Sequence, residues 1–193
     1  MKFNQYQEVA KQYGVGGGGD WFNLKEGENR VRLLNEFEIY GEHWNPATKK
    51  YITCIGKEEG CKPCAAKMPI TVRALGWVID RSDGKVKLFK MPYTIFKALG
   101  ALQTDADYGF SLLPEYDLKI NRAGTGKESE YTVLPTPKIT PLTDEELTEM
   151  NEKIKPVEEI IEKMKNKVGG EAQPPAEAYD DTPAPEDYEY QEN

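Results

Sequence analysis

Apolar and polar residues alternate through much of the middle of the chain with the period of two that marks half-buried β-strands. Residues 30–33 (Arg-Val-Arg-Leu) alternate, 36–44 continue with Phe37, Ile39 and Tyr40, and 85–91 (Lys-Val-Lys-Leu-Phe-Lys-Met) alternate strictly. Residues 71–80 are instead mostly apolar, with Val72, Leu75, Trp77, Val78 and Ile79. Asp83-Gly84 before the strictly alternating segment is a strong hairpin signal, because two-residue turns need backbone that glycine adopts freely. Pro92 then opens a helical stretch over 93–102, with Ile95, Phe96, Leu99 and Leu102 at helical steps. Two further strands, 116–120 and 131–134, flank a polar loop. Five or so strands with one interposed helix predict a mainly β fold, a small Greek-key barrel of the oligonucleotide-binding (OB-fold) type over residues 20–140.

The flanks read differently. Phe3, Tyr6, Val9, Ala10 and Tyr13 share one side of a short helix, and Gly16–Gly19 follow it. Four glycines form no stable element, so residues 1–19 read as an arm on a flexible linker, docking on its own core or self-associating with a neighbouring copy. At the other end, Thr143-x-x-Glu146 is a capping box for a helical segment over 141–168. Leu147, Met150, Ile154, Val157, Ile161, Met164 and Val168 make an apolar stripe that packs on the barrel or pairs with another copy. Pro156 should break that helix and Gly169-Gly170 should stop it. Residues 169–193 are predicted to be a disordered acidic tail.

Charge sharpens this division. Hydrophobic residues make up 38% of the 193, lean for a chain of this length, and the formal net charge is −8. Residues 171–193 hold eight acids and no lysine or arginine, whereas 20–140 carry 18 Lys and Arg against 16 Asp and Glu. The acidity therefore describes the tail and not the body. No run of 18 apolar residues is present to span a membrane, and Met1-Lys2-Phe3-Asn4-Gln5 lacks the apolar core of a signal peptide.

All three cysteines and the only histidine fall within residues 43–64. Three thiolates and an imidazole complete a tetrahedral Zn²⁺ shell, and the two-residue spacing of Cys61 and Cys64 lets one tight turn aim both sulfurs at one ion. Buried unligated cysteines or a redox Cys-x-x-Cys pair are the alternatives. Neither explains the histidine, and no βαβ pattern surrounds the pair. His43, Cys54, Cys61 and Cys64 are thus the expected ligands of a closed, structural zinc site in an inserted subdomain, and free thiols of this kind suit a reducing cytoplasm.

Single-stranded nucleic acid is the partner that a small β body with surface aromatics and bases suggests, since unpaired bases stack on flat side chains and phosphates need Lys or Arg. If Val31 and Leu33 face the core, Arg30 and Arg32 face out; the same parity puts Lys85, Lys87 and Phe89 on one exposed side. Arg30, Arg32, Lys49, Lys87, Arg122 and Lys127 are the candidate cations, and Trp44, Tyr51, Phe89 and Tyr131 the candidate stacking residues. With the histidine and every cysteine assigned, no ordinary nucleophile–base pair remains, and no Gly-x-x-x-x-Gly-Lys-Ser/Thr loop is present, so no enzyme is expected. A zinc-ribbon adaptor of the replication or transcription machinery is the alternative. The acidic tail would compete weakly with phosphate for a cationic groove and attract basic partner surfaces.

The zinc segment, Asp20-Trp21-Phe22-Asn23-Leu24-Lys25 leading into Glu28-Asn29-Arg30-Val31-Arg32-Leu33-Leu34, and Tyr116-Asp117-Leu118-Lys119-Ile120-Asn121-Arg122 with its Gly-x-Gly loop resemble the T-even-like single-stranded-DNA-binding (helix-destabilising) proteins of tailed bacteriophages. The resemblance covers 20–138 best. It implies a zinc-containing OB-fold with a His-Cys-Cys-Cys set on His43, Cys54, Cys61 and Cys64, and an arm for cooperative self-association along DNA. It also implies an acidic tail that recruits replication and recombination proteins. By that similarity the protein coats single strands during phage replication, recombination and repair in the cytoplasm of an infected bacterium. The arm departs from the family pattern: it carries only Lys2, Lys11 and Glu8, where T-even arms are basic.

Overall fold

Each alternating segment is a strand in the computed structural model of the protein, which describes residues 21–124 and 128–170. The expectations for the arm, Lys127 and the acidic tail lie outside the described residues. The chain is mainly β, with eight described strands in one mixed sheet. They are β1 (Trp21–Phe22), β2 (Gly27–Leu33), β3 (Glu38–Asn45), β4 (Lys50–Thr53), β5 (Thr71–Asp80), β6 (Lys85–Pro92), β7 (Tyr116–Ala123) and β8 (Glu130–Ile139). Four described helices accompany them: α1 (Lys62–Ala65), α2 (Tyr93–Gln103), α3 (Asp144–Lys153) and α4 (Val157–Gly170).

Local chemistry sets where β2 begins. The Asn29 amide accepts from the backbone of Lys25 (2.8 Å) and donates to the carbonyls of Lys25, Gly27 and Ile120. It thereby closes a turn that needs the positive φ of Gly27 and ties it to β7. The main path of the sheet runs β1-β6-β5-β2-β7-β8, and β3 pairs with both β5 and β4. β2 and β3 lie successively along β5, antiparallel to it. Only β1 and β6 are parallel, through Trp21↔Leu88 and Phe22↔Phe89. β8 runs to Ile139, past the expected end at Leu134, because a strand paired on one side tolerates Pro135 and Pro137.

Both faces of β5 are buried, which is why its sequence is nearly continuous in apolar residues. Ala74 and Val78 meet Phe22, Val31, Phe89, Met91, Leu118, Ile120 and the α2 residues Ile95 and Leu99 in one core. Leu75, Trp77 and Ile79 join Val86, Leu88, Val157 and Ile161 in a second. α3 and α4 therefore pack on the outer face of the sheet, and each apolar side chain buried there contributes about 1.5–3 kcal/mol. Pro156 does separate the two helices, and the indole Nε1 of Trp77 donates to the Lys155 carbonyl (2.9 Å), fixing the break against β5. The predicted capping box is present at Thr143 and Glu146. Leu147, in the expected stripe, is exposed, and α4 continues through both glycines expected to end it.

Parity held for Arg30 and Arg32, but "outward" is not "solvated". Arg32 is buried: its Nε donates to Asp117 (3.0 Å) and its Nη2 to the Thr140 carbonyl (2.6 Å). Arg30 also donates to Asp117 (2.9 Å) but keeps 42% of its side chain exposed. Arg81 completes the network, reaching Asp117 (3.1 Å) and Glu146, so the cap of α3 is tied to the sheet. Phe89 does not lie on an exposed side; it is 1% exposed and meets Phe22 edge-on at 5.0 Å in the core. Lys87, two residues earlier on the same face, sits near the strand's start, where it pairs with Asp80 (2.7 Å) and Asp83 (2.6 Å).

That pair has a pH signature. Burial alone would raise the Asp80 carboxyl, but hydrogen bonds from Lys87 and Ser82 outweigh it and hold the group below its ordinary value. Lys87 is raised, because its bonds to Asp80 and Asp83 outweigh its own desolvation. A depressed carboxyl stabilises the fold above its unfolded pKa, near ~4, and the contribution is lost as pH falls below that through the folded value. A raised lysine contributes fully below ~10.4 and loses its contribution above it. Lys87→Met is thus expected to lower the urea midpoint at pH 7, with a deficit that shrinks as pH falls below ~4; a deficit unchanged across that fall would refute the pairing.

Candidate metal centre and the surface around it

β3 and β4 form a hairpin in which His43 opposes Ile52 and Trp44 opposes Tyr51. Asn45 closes its turn by accepting from the amides of Ala47 (3.0 Å) and Thr48 (3.3 Å), and Lys49 takes a left-handed φ of 52°. After Thr53 the chain leaves the ladder with one last bond, Cys54 N to the Gly41 carbonyl at 2.8 Å. Gly56 and Gly60, both at positive φ, bend it back so that the Cys61 amide bonds the Gly56 carbonyl (3.1 Å). α1 follows with Pro63 near its start, where a missing N–H costs nothing. Lys67 and Met68 bond back to Cys64 and Pro63, and Pro69 returns to the hairpin.

These turns bring His43, Cys54, Cys61 and Cys64 together, with all four ligand atoms within 4.8 Å of one another. Cys54 Sγ is 3.9 Å from Cys61 Sγ and 3.4 Å from Cys64 Sγ, and Cys64 Sγ is 3.3 Å from His43 Nε2. Metal–sulfur bonds of ~2.3 Å in a tetrahedron place sulfurs about 3.8 Å apart, close to this spacing. His43 Nδ1 lies 3.0 Å from the Pro69 carbonyl, which can only accept. Nδ1 therefore carries the proton, and Nε2 turns its lone pair toward the sulfurs, as a ligating histidine requires. Burial lowers the His43 pKa, outweighing the bond to Pro69, and so favours the neutral, ligating ring. Burial, then hydrogen bonds and like charge from Cys54 and Cys61, push Cys64 up to about 12; a divalent cation reverses that sign, because a coordinating thiol is deprotonated. The four residues could hold a metal ion, and the donor set is consistent with zinc.

Of the candidate nucleic-acid residues, Trp44, Lys49 and Tyr51 lie together on the hairpin. Trp44 and Tyr51 meet edge-on at 5.2 Å, and the Arg73 guanidinium lies 5.4 Å over the Tyr51 ring. Arg122 is half-buried and directed inward, donating to the Leu24 carbonyl (3.1 Å) and Ser129 Oγ (3.2 Å). Tyr131, opposite Arg122 in the register, packs against the first core. Of the residues expected to face outward on their strands, Arg32 is held by the Asp117 network, Lys87 by Asp80 and Asp83, and Phe89 lies in the core.

A cleft that the sequence did not reveal opens beside the hairpin, with a volume of about 430 Å³. Trp21, Tyr51, Lys90 and Met164 line it, drawn from β1, β4, β6 and α4. The only sequence signal was that Lys90 breaks the parity of Lys85 and Lys87. Comparison of the chain with family models, curated proteins and solved structures finds no match. No described helix is long and apolar enough to cross a membrane.

Proposed function

We propose that this chain binds single-stranded DNA without catalysis, through an OB-type barrel whose inserted lobe is held by zinc on His43, Cys54, Cys61 and Cys64. The observation that carries the reading is the cleft at the junction of lobe and sheet, bounded by Trp21 and Tyr51 with Lys90 at its side. Such a surface offers flat partners to bases and a cation to the backbone. The order β6-β5-β2-β7-β8, with α2 between β6 and β7, supports the OB assignment. Arg30, Trp44, Lys49 and Tyr51 remain the contact residues of choice. Coating of single strands in phage replication, recombination and repair, in the cytoplasm of a bacterial host, fits this chemistry. So do self-association through residues 1–19 and recruitment of basic replication proteins by residues 171–193.

Titration with an oligo-dT strand and with a duplex, at two salt concentrations, tests the proposal. Tryptophan fluorescence should be quenched by the single strand and little affected by the duplex, and affinity should fall steeply with salt. No binding of the single strand at low salt would reject it. The adaptor reading draws support from Ile39 and Ile70, which are 55% and 46% exposed near the lobe; it predicts that neither nucleic acid binds.

A further inference from the structure

The cleft also contains a group that stacking and phosphate binding do not use. Glu42, adjacent to His43 on β3, lines it and is 2% exposed. Its Oε1 accepts from Tyr40 Oη (3.0 Å) and from Lys90 Nζ (2.7 Å). Its Oε2 faces Arg73 Nε at 3.5 Å, an ion pair without a hydrogen bond, and among the described residues no donor reaches it. A buried carboxylate oxygen left without a hydrogen bond is uncommon and needs an explanation, and a ligand in the adjoining cleft is one that can supply it. The cleft volume falls in the range of ~300–1,000 Å³ usual for small-ligand sites.

We propose that the cleft selects one unpaired base by its exocyclic amine, which donates to Glu42 while the ring lies against Trp21 and Tyr51. Lys90, 38% exposed, is placed to meet the neighbouring phosphate. Cytosine, adenine and guanine each carry such an amine; thymine and uracil present one ring N–H flanked by two carbonyls, which a carboxylate repels. This inference rests on the single-strand reading and adds to it a preference that stacking alone does not produce.

The test compares labelled d(C)12, d(U)12 and d(T)12 by fluorescence anisotropy at one salt concentration, using the full chain with its metal. We expect d(C)12 to bind about tenfold more tightly than d(U)12, the scale of one charge-assisted hydrogen bond. In Glu42→Gln the side-chain amide can donate to a carbonyl, so the cytosine preference should fall below about twofold while d(U)12 binding is retained. Equal affinity of the wild-type protein for all three strands overturns the base preference and leaves the functional reading intact. Failure to bind any of them overturns both. The wild-type comparison decides the matter even if the variant does not fold.

Discussion

Chelation of the proposed zinc ion is expected to speed amide exchange at Cys54, Cys61, Ala65, Ala66, Lys67 and Met68 by at least ~1,000-fold, equivalent to about 4 kcal/mol of local opening. Apart from the sulfurs and His43, the segment from Cys54 to Met68 has little to hold it: only Cys61 and Pro63 are buried. Most of its backbone hydrogen bonds close its own turns and α1, and Cys54 N to the Gly41 carbonyl ties it to β3. Structural zinc in small metal-folded units is worth ~10–16 kcal/mol, far more than those turns supply. The amides of Leu34 and Arg81, which bond Trp77 and Arg30 across the main sheet, should keep their protection, because two apolar cores hold that region without the ion. Cys61→Ser should reproduce the chelated pattern, and native material should carry one zinc per chain. Unchanged exchange in the lobe after the metal is stripped would eliminate zinc as its organiser.

Asp117→Ala is expected to destabilise the chain by about 3–5 kcal/mol in urea unfolding, the scale for breaking a buried ion pair from one side. Asp117 is 0% exposed and accepts from three guanidiniums, those of Arg30, Arg32 and Arg81. Removing it leaves Arg32 buried with only the Thr140 carbonyl, and loosens the Arg81–Glu146 link that anchors α3. Burial already lowers the Arg32 pKa despite the neighbouring Asp117 carboxylate. Arg30→Ala, at an exposed edge of the same network, should cost less than about 1 kcal/mol. A loss below 1 kcal/mol for Asp117→Ala would mean that the network does not hold the outer helices to the sheet.

Six of the eight described strands were legible because antiparallel neighbours with unlike faces write their period into the chain; β1 and β4, of two and four residues, are too short to show one. Thr143 and Pro156 announced a helix start and a break by backbone chemistry alone. The four ligands were legible because their side-chain chemistry is scarce and they crowd into 22 residues. What alternation could not convey is what lies over each face. Arg32 points away from the first core as parity required, yet the chain around Thr140 and α3 covers it. Lys87 and Phe89 share a face, but one sits at the rim and the other at the centre, and parity carries no coordinate along the strand. The cleft escaped for a different reason. Its walls come from segments up to 143 residues apart, Trp21 to Met164, joined through a parallel pairing of only two residue pairs. No local pattern encodes that meeting.

Met164 forms part of the cleft wall, and α4 ends six residues later at Gly170. At ~1.5 Å per residue that is about 9 Å along the helix axis. Residues 171–193, with their eight acids, are therefore joined to the described chain about that distance from the wall of the proposed nucleotide site. Tethered charge joined at that point would raise the local concentration of an anionic competitor beside the cleft, which is the competition expected from the tail's composition.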